Sequence, residues 1–235
     1  MEASSGNTGI AMSMLAGVKG YKITIVIPES VSVERRKLIR AYGAELILSP
    51  GEKGTAGAIE MKNNLLAEYP EKYINLDQFK NPANIQAHYE TTGKEIIEQT
   101  KGKLDMVIVG IGTAGTGVGV SRRLKEFNPN IKIIAVMPEL GAAIQGLRNP
   151  KELNPTQLYD EKAFDEVIEI SKDTVPAIRQ AGRDLARREG ILAGMSSAAV
   201  MYIAIKKAKK LGKGKTIVAI LPDTGERYLS TDLFD

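Results

Sequence analysis

Cysteine and tryptophan are absent from the 235 residues of this chain, and histidine occurs only once. Without cysteine the chain can form no disulfide, thiolate nucleophile, zinc ribbon or iron–sulfur cluster. A serine–histidine–aspartate triad would have to use His88, and a metal site built from several histidines is impossible. We therefore expect neither a metal site nor a covalent enzyme that relies on side chains alone.

Long apolar runs and a strong excess of one charge are also missing. No run reaches the roughly 20 apolar residues of a membrane span, and the first residues do not resemble a signal peptide. The 32 lysines and arginines are scattered among 28 acidic residues, which leaves a net charge of +4. We therefore expect a cytoplasmic protein without membrane or nucleic-acid partners. A hydrophobic share of 43% is enough for a folded core.

Short β-branched runs alternate with helical periodicity along the chain. Strands are predicted at residues 23–27, 45–48, 106–109, 131–136, 166–170 and 216–221, and helices are predicted between them. Among these helices are residues 32–42, with Ser32 as N-cap, and a single helix over residues 84–100. This alternation predicts an α/β fold of two lobes, each a mostly parallel sheet within three αβα layers. We place the smaller lobe at residues 1–84 and the larger one at residues 85–235.

Four turns that open helices with small polar residues are the candidates for chemistry, because such turns face the binding crevice in parallel α/β folds. The turn Gly112-Thr113-Ala114-Gly115-Thr116 offers backbone N–H groups and two hydroxyls to a phosphate. The turn Ser4-Ser5-Gly6-Asn7-Thr8-Gly9 suits a carboxylate. The other two turns run from Gly194 to Ser197 and from Gln78 to Asn84.

A nicotinamide-dependent oxidoreductase is an alternative interpretation of the first of these turns. Residues 110–115 also fit the pattern G-x-G-x-x-G, and Glu139 ends the next strand, where a ribose-binding acid would lie. Thr113 and Thr116 nevertheless favour a monophosphate. No carboxylate partner that would tune His88 is visible, so we expect a packed or hydrogen-bonded structural residue rather than a catalyst.

Taken in order, these segments resemble the cysteine synthase family, whose members are pyridoxal-phosphate enzymes with the tryptophan-synthase-β fold (fold type II). The resemblance covers essentially the whole chain. It implies a homodimer that binds an amino-acid substrate, O-acetyl-L-serine or O-phospho-L-serine, and replaces its β-substituent with sulfide or thiosulfate to make cysteine. The matching segments are Ser4 to Gly9, Val33 to Arg36, Gln78 with Asn81 to Asn84, Gly112 to Thr116, Gly194 to Ser197 and Gly225 to Ser230.

The resemblance also implies a role for individual residues. The cofactor phosphate would be held by Gly112, Thr113, Ala114, Gly115 and Thr116. Asn7 would meet the phenolic oxygen of the cofactor and Ser196 its pyridine nitrogen, where a neutral serine favours β-replacement over transamination. The substrate carboxylate would be held by the loop residues Ser4, Ser5, Gly6 and Thr8 together with Gln78.

Arg148 lies in a loop, residues 142–149, that resembles the B-type branch of the family. Its guanidinium suits the dianionic phosphate of phosphoserine or a thiosulfate, whereas an acetyl ester has no need of it. A surface arginine in a loop is the alternative.

The sequence departs from the family pattern at three places. Ala114 and Ala198 stand where the family has glycine, and an alanine at position 114 is tolerable only if it keeps φ below zero. The Schiff-base lysine of the family lies upstream of the Asn7 loop, where this chain has only Met1, Glu2 and Ala3. We therefore assign no catalytic residue and expect a chain that is truncated just after that lysine. A binding or assembly protein without catalysis is the alternative.

Overall fold

The computed structural model describes all 235 residues, and these form two compact units. Unit 1 contains Met1–Gln78, Glu226–Leu233 and Asp235, and unit 2 contains Phe79–Gly225 and Phe234. The lobes predicted from the sequence differ from these units in two segments. Residues 79–84 group with unit 2, and residues 226–233 return to unit 1 after the last strand of unit 2.

Unit 1 is built on a parallel sheet of three strands in the order β1-β2-β3. The second strand is buried at all five residues, as its uninterrupted apolar run predicts. Ile25, Ile27 and Ile39 are fully buried and form the core of the unit. The strands are β1 (Glu2–Ala3), β2 (Thr24–Pro28) and β3 (Glu45–Ser49), and the helices are α1 (Asn7–Lys19), α2 (Val33–Ala41) and α3 (Gly54–Glu68).

Unit 2 is built on a parallel sheet of four strands in the order β6-β5-β4-β7. The strands are β4 (Met106–Gly110), β5 (Lys132–Pro138), β6 (Glu166–Ile170) and β7 (Ile217–Ala219). The helices are α4 (Ala83–Glu90), α5 (Thr92–Thr100), α6 (Gly115–Phe127), α7 (Val175–Glu189) and α8 (Met195–Leu211). The predicted α/β class with parallel sheets is confirmed. None of the helices combines the length and the hydropathy that a membrane span needs.

The single helix predicted after Asn84 is in fact two helices, α4 and α5. Thr91 separates them with φ −113° and ψ −79°, and its hydroxyl donates to Ala87 O at 2.7 Å. Such a bond from a side chain to the preceding turn competes with the helical ladder and bends it. Gly93, the second residue of α5, packs closely against α6. A Cβ on Gly93 would lie 2.6 Å from Cβ of Arg123. Both helices pack on α6, so the apolar periodicity continues across the break and conceals it.

The C-terminal segment is held on unit 1 by helix α2. The guanidinium of Arg35 lies 4.2 Å from the ring centroid of Tyr228, and both residues are almost fully buried. The hydroxyl of Ser32, just before α2, donates to Arg227 O at 2.5 Å and accepts from Arg35 Nη1 at 3.1 Å. Ser32 therefore occupies the predicted N-cap position, but its side chain bonds the C-terminal segment instead of capping the helix.

Gly6 tests how tightly Arg35 is packed. Gly6 has φ +148°, and a Cβ there would lie 2.2 Å from Cδ of Arg35. We expect Gly6→Ala to lower the free energy of unfolding by about 2 kcal/mol or more, because Arg35 cannot shift without leaving Tyr228. Urea unfolding measures this loss.

The matched control for this prediction is Gly20→Ala. Gly20 has φ +72° and nothing within 4 Å of the position of a Cβ, so this variant isolates the cost of the left-handed backbone, about 1 kcal/mol. Equal losses in the two variants would contradict the packing argument.

Candidate functional site

The turn between β4 and α6 carries the residues predicted to bind a phosphate. The hydroxyl of Thr113 accepts from Gly115 N at 3.3 Å and from Asn84 Nδ2 at 3.0 Å. The carbonyl of Thr113 accepts from the hydroxyl of Thr156 at 2.7 Å. The first N–H groups of α6 have no acceptor within the helix and lie at its positive end. The turn is therefore braced from both sides and can hold an anion.

Ala114 does not keep φ below zero, so the condition for an unstrained alanine is not met. It lies in the left-handed region with φ +72° and ψ −6°, immediately before α6. A left-handed alanine costs about 1–2 kcal/mol, a cost that glycine would avoid. The methyl group is 3% exposed and belongs to the core of unit 2, and this burial offsets part of the strain.

The loop of residues 141–149 lies against the phosphate turn and the start of α8. A Cβ on Gly112 would lie 3.0 Å from Gly146 O, and a Cβ on Gly146 would lie 3.1 Å from the hydroxyl of Ser196. Gly146 has φ +93°, so both its conformation and its surroundings favour glycine. The structure thus brings Gly112 and Ser196, two predicted cofactor contacts, to the same loop residue.

The side chain of Arg148 bonds residues 152–154, which follow it closely in the chain. Its Nε lies 3.3 Å from Glu152 Oε2, and Nη2 donates to Leu153 O at 3.1 Å and to Asn154 O at 3.4 Å. The guanidinium also lies 5.2 Å from the ring centroid of Phe79. With its side chain only 12% exposed, Arg148 is not the surface arginine of the alternative interpretation. Nη1 is buried without a partner, so a substrate contact would have to use that atom.

The predicted carboxylate loop of unit 1 joins β1 to α1 and is braced from within. The buried hydroxyl of Ser4 accepts from Gly6 N at 3.0 Å and from Gly9 N at 3.1 Å. Two accepted bonds leave its own proton for donation. Ser5 is exposed, and Asn7 begins α1 in a half-buried position.

Gln78 lies next to this loop. Its Oε1 accepts from the hydroxyl of Thr8 at 2.6 Å, and its Nε2 donates to Ala3 O at 2.7 Å. The structure therefore brings Thr8 and Gln78, which are 70 positions apart in the chain, into direct contact.

Two buried ionisable residues in this region, Glu2 and Lys62, were not predicted. The carboxylate of Glu2 accepts from Ala3 N at 3.0 Å and from Gln78 N at 3.3 Å. Burial raises the pKa of Glu2, and the positive charge of Lys62 opposes that shift. Lys62 is 1% exposed, and its Nζ lies 3.3 Å from Asn75 Oδ1. A signal existed in the sequence, since Lys62 lies at helical spacing from the apolar positions of α3.

Helix α4 contributes two residues to the phosphate turn: Asn84, which had no individual role in the sequence prediction, and His88, which was expected to be structural. Asn84 bonds Thr113, as described above. His88, one turn later, has its Nε2 3.0 Å from the hydroxyl of Thr116 and its Nδ1 2.9 Å from the hydroxyl of Thr92. His88 is thus hydrogen-bonded, as expected, but its partner belongs to the candidate site. The spacing i, i+4 after an amide-rich turn was the signal available in the sequence.

Glu139, the ribose-binding acid of the oxidoreductase alternative, has another partner. Its Oε1 accepts from Lys172 N at 2.9 Å, and its N–H donates to Ile170 O at 2.9 Å. Glu139 therefore ties the end of β5 to the segment that follows β6.

Comparison with known proteins identifies the family of this chain. A sequence profile described as pyridoxal-phosphate dependent enzyme matches residues 1–223. A cysteine synthase of Staphylococcus aureus is 44% identical over 243 aligned residues, which cover all of this chain and 76% of that protein. The crystal structure of O-ureido-L-serine synthase superposes with a TM-score of 0.89 and 38% identity, over all of this chain and 75% of that one.

A second solved structure is O-acetyl serine sulfhydrylase isoform 3 from Entamoeba histolytica. It superposes with a TM-score of 0.84 and 40% identity, over 99% of this chain and 71% of that one. The chain therefore belongs to the cysteine synthase family of pyridoxal-phosphate dependent enzymes. The expected fold type and cofactor are confirmed, and nothing in these comparisons favours the oxidoreductase or the non-catalytic alternative.

The residues present fit pyridoxal phosphate. The phosphate turn offers helix-start N–H groups and two hydroxyls, and the contacts of Gly112 and Gly146 leave no room for side chains beside it. Ser196 and Ser197 are buried at the start of α8, and the hydroxyl of Ser197 has no hydrogen-bond partner. A buried, unpartnered hydroxyl is costly unless a bound group satisfies it.

The two alanines at family glycine positions give opposite predictions for the free energy of unfolding. We expect Ala114→Gly to leave it unchanged or to raise it by up to about 1 kcal/mol, since relief of strain exceeds the loss of one buried methyl. Ala198 lies within α8 and is fully buried, so Ala198→Gly should lower it by about 1 kcal/mol or more. Thermal and urea unfolding compare the two, and a loss in both variants would contradict the strain at Ala114.

Proposed function

We propose that this chain carries the cofactor and substrate sites of a cysteine synthase. The reaction is the replacement of the β-substituent of O-acetyl-L-serine or O-phospho-L-serine by sulfide or thiosulfate. The observation that supports this most directly is the phosphate turn, which opens α6 and shares the contact residue Gly146 with Ser196. Bound pyridoxal phosphate supplies the electron sink that stabilises negative charge at the substrate α-carbon.

We assign the cofactor contacts as follows. The hydroxyls of Thr113 and Thr116 and the N–H groups at the start of α6 bind the phosphate, because hydrogen bonds to a charged oxygen are roughly twice as strong as neutral ones. The hydroxyl of Ser196 meets the pyridine nitrogen without holding it protonated. The weaker electron sink that results favours elimination and replacement at the β-carbon. Asn7 meets the phenolic oxygen.

We assign the substrate carboxylate to the loop of residues 4–8 together with Gln78. The start of α1 is the positive end of a helix, and its N–H groups suit an anion. Ser4 shapes the loop by accepting two N–H bonds and keeps its own proton to donate. Thr8 orients Gln78 by donating to its Oε1, and Nε2 of Gln78 donates to Ala3 O.

No lysine of this chain is assigned as the Schiff-base residue, and no side chain is assigned to move the α-proton. The residues described here bind and orient, whereas a positioned acid–base group contributes typically ~10²–10⁴ in rate. The homodimer and the cytoplasmic location stay predictions.

Binding of pyridoxal phosphate tests the assignment of the phosphate turn. We expect the chain to bind pyridoxal phosphate much more tightly than pyridoxal, which lacks the phosphate. Thr113→Val should weaken the binding of pyridoxal phosphate about tenfold or more, since a hydrogen bond to a charged group contributes about 1.5–3 kcal/mol. Equilibrium dialysis followed by absorbance measures both constants.

The matched control for that experiment is Thr100→Val, whose hydroxyl bonds Ile96 O within α5 at 2.7 Å and lies outside the turn. It should bind as the wild type does. Equal binding of pyridoxal and pyridoxal phosphate, or tight binding of NADH alone, would contradict the proposal. After borohydride reduction, stoichiometric labelling of one lysine would contradict the absence of a Schiff-base lysine.

Arg148 tests the choice of substrate. We expect Arg148→Met to weaken the binding of O-phospho-L-serine to the cofactor-loaded chain more than that of O-acetyl-L-serine, since only the former carries a dianion for Nη1. Spectral titration with both amino acids measures the two constants. Glu152→Gln loosens the same loop without removing the guanidinium and serves as the control. An equal loss of affinity for both amino acids would contradict a role in substrate choice and would show that Arg148 only holds its loop in place.

A further inference from the structure

His88 joins the first residue of α5 to the phosphate turn. Its Nδ1 lies 2.9 Å from the hydroxyl of Thr92 and its Nε2 lies 3.0 Å from the hydroxyl of Thr116. It is the only histidine of the chain. Both ring nitrogens are engaged, and a neutral imidazole has one donor and one acceptor, so the tautomer decides the direction of both hydrogen bonds.

The two hydrogen-bond directions differ in whether the hydroxyl of Thr116 can donate its proton to a phosphate. If Nε2 carries the proton, it donates to the hydroxyl of Thr116, whose own proton is then free to point at an anion. If Nδ1 carries the proton, the hydroxyl of Thr116 must donate to Nε2 and turns only lone pairs towards the anion. Only the first arrangement makes Thr116 a phosphate donor.

Thr113 has the arrangement that the first tautomer would give Thr116. Its hydroxyl accepts from Asn84 Nδ2 and from Gly115 N, so its own proton is available to the phosphate. Asn84 and His88 lie four residues apart on α4 and thus on the same face of that helix. One helix face therefore supports both threonines of the turn.

We propose that His88 is a positioning residue for the cofactor phosphate: in its Nε2-protonated form it donates to Thr116 and so directs the Thr116 hydroxyl proton to the phosphate. In this form Nδ1 is unprotonated and accepts the hydroxyl proton of Thr92. This inference rests on the proposed function, because it concerns the same phosphate turn.

The surroundings of His88 keep the ring neutral and in place. Burial lowers the pKa of His88, and the negative charge of Glu95 opposes that shift. Helix α4 lies so close to α6 that a Cβ on Gly119 would be 2.8 Å from Cβ of His88 and 2.4 Å from Ile85 O. The backbone of His88 therefore cannot move towards α6, and its ring reaches Thr116 from a fixed position.

The variants His88→Gln and His88→Asn separate the role of His88 in positioning Thr116 from its role in packing. Glutamine places an amide N–H near the position of Nε2, whereas asparagine reaches only the position of Nδ1. We expect His88→Gln to bind pyridoxamine 5′-phosphate within about threefold of the wild type, and His88→Asn and His88→Leu to bind it about tenfold or more weakly. Calorimetric titration measures these constants, and circular dichroism confirms that each variant is folded.

Pyridoxamine 5′-phosphate is used because it has no aldehyde to react with surface lysines, and pyridoxamine without phosphate is the matched ligand. If the wild type binds both ligands equally, the proposed function fails. If the wild type prefers the phosphate ester but His88→Gln and His88→Asn bind it equally, the role of His88 fails and the proposed function stands.

Two further measurements test the route through Thr116. In the Thr116→Val background, His88→Leu should cause no further loss of binding, and a further loss of tenfold would overturn the proposal. Nitrogen-15 spectra of the single imidazole should show Nε2 protonated in the ligand-bound wild type. A bound ring protonated at Nδ1 alone would also overturn it.

Discussion

The close approach of helices α4 and α6 is the constraint on which the phosphate turn depends. A Cβ on Gly115 would lie 2.0 Å from Asn84 Oδ1, and Gly119 leaves similarly little room beside His88. Because neither glycine has a side chain, the polar face of α4 reaches both threonines of the turn. A larger residue at Gly119 would have to push the α4 backbone away, and one at Gly115 would have to displace the Asn84 side chain that bonds Thr113.

The same turn has backbone strain at Ala114, and a glycine at that position would relieve it. Ala114 pays for a left-handed backbone, and the conformation persists because the hydrogen bonds around Thr113 and the burial of the methyl group hold it. Strain held by surrounding contacts is common where backbone N–H groups must be aimed at a ligand. The turn thus has its geometry imposed by its neighbours rather than by its own preference.

In unit 1, buried polar groups hold Gln78, a residue predicted to bind the substrate carboxylate. Glu2 and Lys62 lie beneath Gln78, and the carboxylate of Glu2 accepts from the backbone N–H of Gln78. Buried charges are costly unless they are paired and hydrogen-bonded. Here the carboxylate of Glu2 holds the backbone of Gln78, whose side chain contacts Thr8. In both units, a predicted ligand-binding residue is therefore held by a polar residue outside the recognised motifs.

The sequence by itself determined the α/β class, the strands β2 to β7, the family and the positions of the candidate binding turns. These follow from periodicity and from short contiguous motifs, which are local. Only the tertiary structure decided that Thr91 breaks a helix, that Ala114 is left-handed, that residues 226–233 return to unit 1 and that His88 meets Thr116. Each of these depends on residues distant in the chain that share one small volume, and no local pattern records which distant side chains will meet.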